Sequence, residues 1–156
     1  MTAPAQLAPD AAFVRSHAPS IGLRVHPALP LLVLGSGVVA QQLTDTGIAP
    51  IPNCAPWFRG VARHGGRIVP FFDIALWAGV ERSGERATMI SVVQGEHVLG
   101  LLASESPMVV PAETAIRPWM SKTEMLAGPH AASVACRFDP SAWLTEIASS
   151  VAWESG

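Results

Sequence analysis

Charged residues are scarce in this sequence. Only 14% of the 156 residues are Asp, Glu, Lys or Arg, whereas a typical soluble domain carries about 25%. The net charge is −2 and apolar residues make up 49% of the chain. So few basic residues do not suit a general nucleic-acid-binding protein. A surface poor in charge favours exposed apolar patches, which often mark protein–protein contacts; a neutral alanine-rich background is the alternative explanation.

Cysteines and long apolar runs are scarce as well. Cys54 and Cys136 are the only cysteines, so the sequence holds no disulfide framework and fits a reducing compartment. The longest apolar stretch, residues 28–40, is interrupted by one proline and two glycines, and a membrane span needs about 20 apolar residues. Residues 1–20 lack the basic start and apolar run of a secretory signal. We therefore predict a cytoplasmic protein without direct membrane insertion.

No motif indicates a catalytic, cofactor or metal site. The histidines show neither metal-ligand spacing nor a neighbouring cysteine pair, and no serine lies in a nucleophile-elbow pattern. Residues 35–37 (Gly-Ser-Gly) lack the remaining glycine or lysine of a phosphate-binding loop, so we predict a turn. Cys54 and His64 could in principle act as nucleophile and base. Packing of Cys54 beside Pro52 and Pro56 in a loop is the favoured interpretation.

One short segment gathers basic and aromatic side chains, a combination that can bind single-stranded nucleic acid on the face of a barrel. No other region of the chain adds to this pattern. A polar edge that faces a protein is the more economical interpretation, and we predict no nucleic-acid partner. The members of this basic cluster and its aromatic neighbours are Arg59, Arg63, His64 and Arg67, with Trp57 and Phe58.

Short apolar segments, separated by Gly and Pro about every ten residues, indicate β-strands. The predicted strands are residues 31–34, 38–43, 68–72, 88–93, 97–103 and 133–138. Their even spacing predicts a mainly β protein built as a barrel or sandwich. Residues 1–20 are rich in Ala and Pro and are predicted to be a flexible leader, which leaves residues 21–156 as one domain.

Two helices are predicted among the strands. Asp73 can cap a short helix that runs through Trp77 and ends at Gly79. Asp139 and Pro140 are a favourable N-cap and first residue for a C-terminal helix. That helix carries an apolar stripe, for which core packing is favoured over a partner site. The stripe consists of Trp143, Leu144, Ile147, Ala148 and Val151.

The segment of residues 51–74 carries a specific pattern of prolines, glycines and apolar residues that resembles the signature of CheW-like domains. The matching positions are Ile51, Pro52, Asn53, Pro56, Gly60, Val61, Gly66, Ile68, Val69, Pro70, Asp73 and Ile74. The resemblance extends over about residues 21–150. Trp57, followed by Gly60-Val-Ala, looks most like the PilI-type branch, which couples receptors to a kinase for twitching motility by type IV pili. In physical terms, Gly60 is expected to allow close backbone approach in a strand and Gly66 to allow a hairpin turn.

The resemblance implies two SH3-like β-barrel subdomains that share a core, with a short helix and a C-terminal helix. It also implies a non-enzymatic adaptor with one surface for the regulatory domain of a CheA-type histidine kinase. A second surface, near the groove between the subdomains, would take the cytoplasmic tip of a chemoreceptor. Carried over by position, the receptor-side residues are Val39, Gln41, Gly60 and Gly65. A divergent scaffold that no longer couples receptors, and a small ligand- or nucleic-acid-binding β-barrel, are the alternatives.

The sequence departs from the family pattern at three charged positions. Gly65 stands where the family has an arginine, Gln41 where it usually has a glutamate, and Ser104 where it has an acidic residue. The charges lost at positions 41 and 65 have opposite signs. Loss of both partners of one ion pair would leave this pattern, because one partner alone would be an uncompensated charge. We therefore predict that positions 41 and 65 lie close together.

Overall fold

The computed structural model describes residues 20–44, 47–82, 87–119, 124–125 and 133–154, the last six by their backbone alone. Within these residues the chain forms strands β1 to β9 and helices α1 and α2. In chain order they are β1 (Ser20–Leu23), β2 (Leu31–Leu34), β3 (Val38–Leu43), β4 (Phe58–His64), β5 (Arg67–Phe72), α1 (Ile74–Trp77), β6 (Thr88–Gln94), β7 (His97–Ala103), β8 (Met108–Val110), β9 (Ala135–Phe138) and α2 (Pro140–Glu154).

The strands form two sheets, which confirms the predicted mainly β fold. One sheet has the order β8-β1-β2-β9 and the other the order β3-β6-β7-β5-β4. Neighbouring strands are antiparallel except for two parallel pairs, β2 with β9 and β5 with β7. All six predicted strands are present, and β2, β3 and β7 have the predicted bounds. The predicted leader, residues 1–20, lies outside the described residues apart from Ser20, which begins β1.

Three strands were not among those predicted from the short apolar segments. β1 contains a serine and a glycine among its four residues, and β8 contains only three residues, so neither stands out as an apolar run. β4 contains a register shift between Phe58 and Gly60. A bulge of this kind moves the side chains that follow it to the other face and so disrupts the alternation.

A large apolar cluster joins the two sheets. Leu32 of β2, Leu101 of β7, Ile74 of α1 and Trp143 of α2 belong to it, and all four are fully buried. The five-stranded sheet encloses a second cluster around Phe71. The four-stranded sheet covers a third cluster on its other face. One cluster for each sheet and one between them fit two subdomains that share a core.

Both helices begin as predicted. The Asp73 side chain accepts a hydrogen bond from the Leu76 backbone N–H at 3.3 Å, and Gly79 follows α1 with φ of +88°, a conformation that favours glycine. Asp139 Oδ1 accepts from the Ala142 N–H at 3.2 Å, and Pro140 is the first residue of α2.

The apolar stripe of α2 has two roles. Trp143 and Ile147 are buried in the shared core, as predicted. Leu144 is half-buried and Ala148 is exposed, so this part of the stripe remains open at the surface. The side chain of Val151 lies outside the described residues.

Candidate partner-binding surfaces

The two edge strands of the five-stranded sheet, β3 and β4, contact each other through side chains. Gln41 Oε1 of β3 lies 3.4 Å from His64 Nε2 of β4. The sheet must therefore curve until its edges face each other, as in a barrel. Because the turn at Gly65 follows His64 directly, this contact places the turn beside the part of β3 that carries Gln41.

Val39 lies two residues before Gln41 and therefore on the same face of β3. Its side chain is 61% exposed. A solvent-exposed apolar side chain on a regular strand can bind a partner, because the contact would remove the side chain from water. The geometry at Val39 is thus compatible with the expected contact role.

Gly60 has a different environment from Val39, because it is buried. Its φ is +126°, and a Cβ at this position would overlap the backbone carbonyl of Ala49. Ala49 and Val61 exchange two backbone hydrogen bonds beside it, of 2.7 and 3.0 Å. Gly60 therefore shapes the surface through the path of the backbone, since it has no side chain to offer.

Gly65 and Gly66 form the exposed turn between β4 and β5, with φ of +58° and +76°. Among the described residues, no atom lies within 4 Å of a Cβ placed on Gly65. These residues therefore leave space for a larger side chain at position 65, and the positive φ opposes it.

Ser104 connects the two sheets. It follows β7, and both its backbone N–H and its hydroxyl donate to the carbonyl oxygen of Arg24, at 2.8 and 2.9 Å. Arg24 follows β1 in the other sheet. The hydroxyl that stands where the family has an acidic residue therefore has a structural partner in this chain.

Sequence reasoning missed an ion pair beneath α1. Arg82 Nε lies 3.0 Å from Asp73 Oδ2, and Arg82 Nη2 donates to Asp73 Oδ1 at 3.2 Å and to the Leu102 carbonyl at 2.9 Å. Asp73 is only 2% exposed, so its carboxylate depends on this partner and on the helix cap. No local sequence pattern predicts this pairing, because Arg82 lies nine residues after Asp73 and beyond the end of α1.

An apolar cavity of about 580 Å³ opens between β4, β5, α2 and the loop before β4. Its described lining consists of Asn53, Cys54, Ala55, Trp57, Phe58, Pro70, Phe72, Leu144, Ile147 and Ala148. This set includes no histidine and no carboxylate. Cys54 lies in its loop beside Pro52, with 3.7 Å between Sγ and the Pro52 carbonyl oxygen, as the loop interpretation expects.

The basic cluster predicted from sequence does not form one patch. Arg59 lines a separate cavity together with Asp73, Glu81 and Arg82. Arg67 donates to the Glu96 carbonyl at 3.4 Å, in the turn between β6 and β7.

Arg63 is paired in register with Ile68 and points to the face opposite its neighbour His64. Because the three arginines point in different directions, the structure gives no support to a nucleic-acid-binding face.

The described part of the chain contains no group of three or more His, Cys, Asp or Glu side chains placed to hold a metal ion. None of its helices is both long and apolar enough to cross a membrane.

Comparisons with known proteins identify one family by sequence and one similar fold. The sequence profile of the CheW-like domain matches residues 31–114, from β2 to just beyond β8. The fold is similar to a crystal structure of the scaffolding protein TtCheW from Thermoanaerobacter tengcongensis, with a TM-score of 0.50 and 20% sequence identity. This match covers 60% of the present chain and 64% of that chain, less than two thirds of its length. At this identity the likeness shows the fold alone. No curated protein matches the sequence significantly.

Proposed function

Because this chain belongs to the CheW-like domain family, we propose that it is a non-enzymatic adaptor that couples chemoreceptors to a CheA-type histidine kinase. The observation that carries the proposal is the family match over residues 31–114, which contains all four predicted receptor-side positions. In the cell the adaptor would be cytoplasmic. Its output would be chemotaxis or, as the PilI-like features around Trp57 suggest, pilus-based twitching motility.

One surface of the adaptor binds the regulatory domain of the kinase. A chain with few charges, exposed strand edges and exposed apolar side chains is suited to pair with another small β-barrel. We expect a dissociation constant in the micromolar range or below, which corresponds to about −8 kcal/mol or better. Calorimetric titration with the regulatory domains of the kinases of the source organism measures it directly. Absence of binding to all of them would contradict the proposal.

The receptor surface includes Val39, with Gln41 and the turn at Gly65 beside it. Substitution Val39→Asp places a charge where an apolar contact is expected, and should weaken binding of a receptor tip fragment by at least about tenfold, or 1.4 kcal/mol. Kinase binding should not change. Val109→Asp is a matched control, because Val109 is 68% exposed and lies on the other sheet. If both substitutions weaken receptor binding equally, Val39 has no special role.

A second candidate function is a scaffold that binds the kinase but no longer couples receptors. The neutral residues at positions 41 and 65 favour it, because the resemblance implies opposite charges there. The same titrations separate the two candidates. Binding to the kinase without binding to any receptor tip fragment would select the second.

A further inference from the structure

The outer face of the β4–β5 hairpin is a continuous apolar strip. Its rows follow the strand register: Arg63 opposite Ile68, Val61 opposite Pro70, and Phe58 opposite Phe72. The Ile68 side chain is 58% exposed, and Val61 and Pro70 are half-buried. Phe58, Pro70 and Phe72 also line the apolar cavity, so the strip leads from an exposed arginine at one end into the cavity at the other.

Charge is distributed unevenly along this strip. Residues 47–72 contain three arginines and no Asp or Glu. Of the three, Arg67 and Arg59 point elsewhere, which leaves Arg63 as the cation of the outer face. A partner that covers the strip would therefore bring apolar side chains to the cavity and would gain from a carboxylate near Arg63.

The edge of β4 that faces away from β5 does not suit an extended partner. Val61 already exchanges backbone hydrogen bonds with Ala49, so a further strand cannot pair with β4 at that point. A helix needs no such pairing, because it binds through its side chains. Leu144, Ile147 and Ala148 of α2 form one wall of the cavity, against which a second helix can pack.

We propose that the strip and the cavity together form a docking surface for an amphipathic helix of a partner protein, with acidic residues at the end that faces Arg63. Four residues of the regular strand β5 separate Ile68, which is opposite Arg63, from Phe72, which is opposite Phe58, a distance of about 13 Å. A helix covers this distance in about eight residues. The acidic side chain should thus lie about two turns from the apolar side chain that enters the cavity. The side chains of this surface belong to β4, β5 and α2, whereas Val39 and Gln41, the side chains of the proposed receptor surface, belong to β3. The two surfaces can therefore be tested separately.

Peptide binding can be followed through the reactivity of Cys54, which is exposed and lines the cavity. The other cysteine, Cys136, is buried. The probe is an 18-residue helical peptide with leucines on one face and two glutamates about eight residues from the central leucine. A matched peptide carries lysines in place of the glutamates. The rate of Cys54 alkylation by iodoacetamide is followed in the full chain as each peptide is added.

We expect the acidic peptide to slow alkylation at least about fivefold at saturation, and the lysine peptide to require about tenfold higher concentrations. Arg63→Glu should reverse this preference. Arg67→Glu makes the same change of charge in the same hairpin but on the other face, and should leave the preference as it is. Ala148→Glu should abolish protection by either peptide.

Three results would overturn the proposal. They are no protection by the acidic peptide, equal protection by both peptides, and reversal by Arg67→Glu as well as by Arg63→Glu. Far-ultraviolet circular dichroism of each variant checks that it is folded. The titrations with the kinase and receptor fragments are separate, so failure of one proposal does not decide the other.

Discussion

Gln41 and His64 join the two edge strands of the five-stranded sheet by a neutral contact of 3.4 Å between Oε1 and Nε2. It lies close to positions 41 and 65, where the family resemblance implies opposite charges and where we infer a lost ion pair. The contact is exposed and long, so it contributes at most about 1 kcal/mol to stability. The contact matters for its geometry, because it shows that residue 41 faces the end of β4. His64, at that end, directly precedes Gly65, where the family has an arginine.

A double-mutant cycle of Gln41→Glu and Gly65→Arg tests whether an ion pair can form there. Gly65→Arg alone should cost about 1 kcal/mol, because φ at this position is +58° and favours glycine. The two changes together should show a favourable coupling of about 0.5 kcal/mol, since both positions are exposed. Urea unfolding of the four proteins gives the coupling and cancels the backbone cost.

The matched control for this cycle replaces Gln41→Glu by Gln42→Glu. Gln42 is also exposed but points to the other face of β3, so its coupling to Arg at position 65 should be close to zero. Equal coupling in the two cycles would show a general charge effect and no defined pair.

Gly60→Ala should destabilise the protein by about 3 kcal/mol. The new Cβ would overlap the Ala49 carbonyl, and φ of +126° is unfavourable for alanine. At Gly65 φ is also positive, but no described atom lies within 4 Å of the new Cβ, so Gly65→Ala should cost only about 1 kcal/mol. Thermal or urea unfolding compares the two variants. Similar losses would mean that the strand accommodates the Cβ by moving residues 49 and 50 away.

Arg82→Leu should cost about 3 kcal/mol, because it leaves the buried carboxylate of Asp73 without its cation. Adding Asp73→Asn to this variant should recover part of the loss, since the amide is neutral and its oxygen can still cap α1. Urea unfolding of the two single variants and the double variant measures this recovery. A double variant less stable than Arg82→Leu alone would show that the carboxylate does not need the arginine.

Ser104→Ala should cost about 1 kcal/mol through loss of the hydroxyl hydrogen bond to the Arg24 carbonyl. Ser104→Asp should cost more, because an ionised carboxylate only accepts hydrogen bonds and would face another acceptor. The order of stability, measured by urea unfolding, is thus Ser above Ala above Asp. An aspartate variant as stable as the natural chain would show that its side chain turns away to solvent.

Local sequence patterns determined much of this protein. Short apolar runs such as residues 38–43 and 97–103 predicted strands with the observed bounds. Asp73 and Asp139 predicted the start of both helices, because capping depends on groups only three residues apart. The family pattern of residues 51–74 was recognisable for a similar reason: its glycines and prolines meet backbone requirements that are visible in the sequence.

Only the tertiary structure decided which distant residues meet. The parallel pairing of β2 with β9 joins segments about a hundred residues apart, and no periodicity encodes such a choice. The contact of Gln41 with His64 depends on how far the sheet curves, and the ion pair of Asp73 with Arg82 on the path of the chain after α1. The basic cluster is continuous in sequence yet divided in space, because successive strand residues point to opposite faces and the bulge in β4 shifts the pattern.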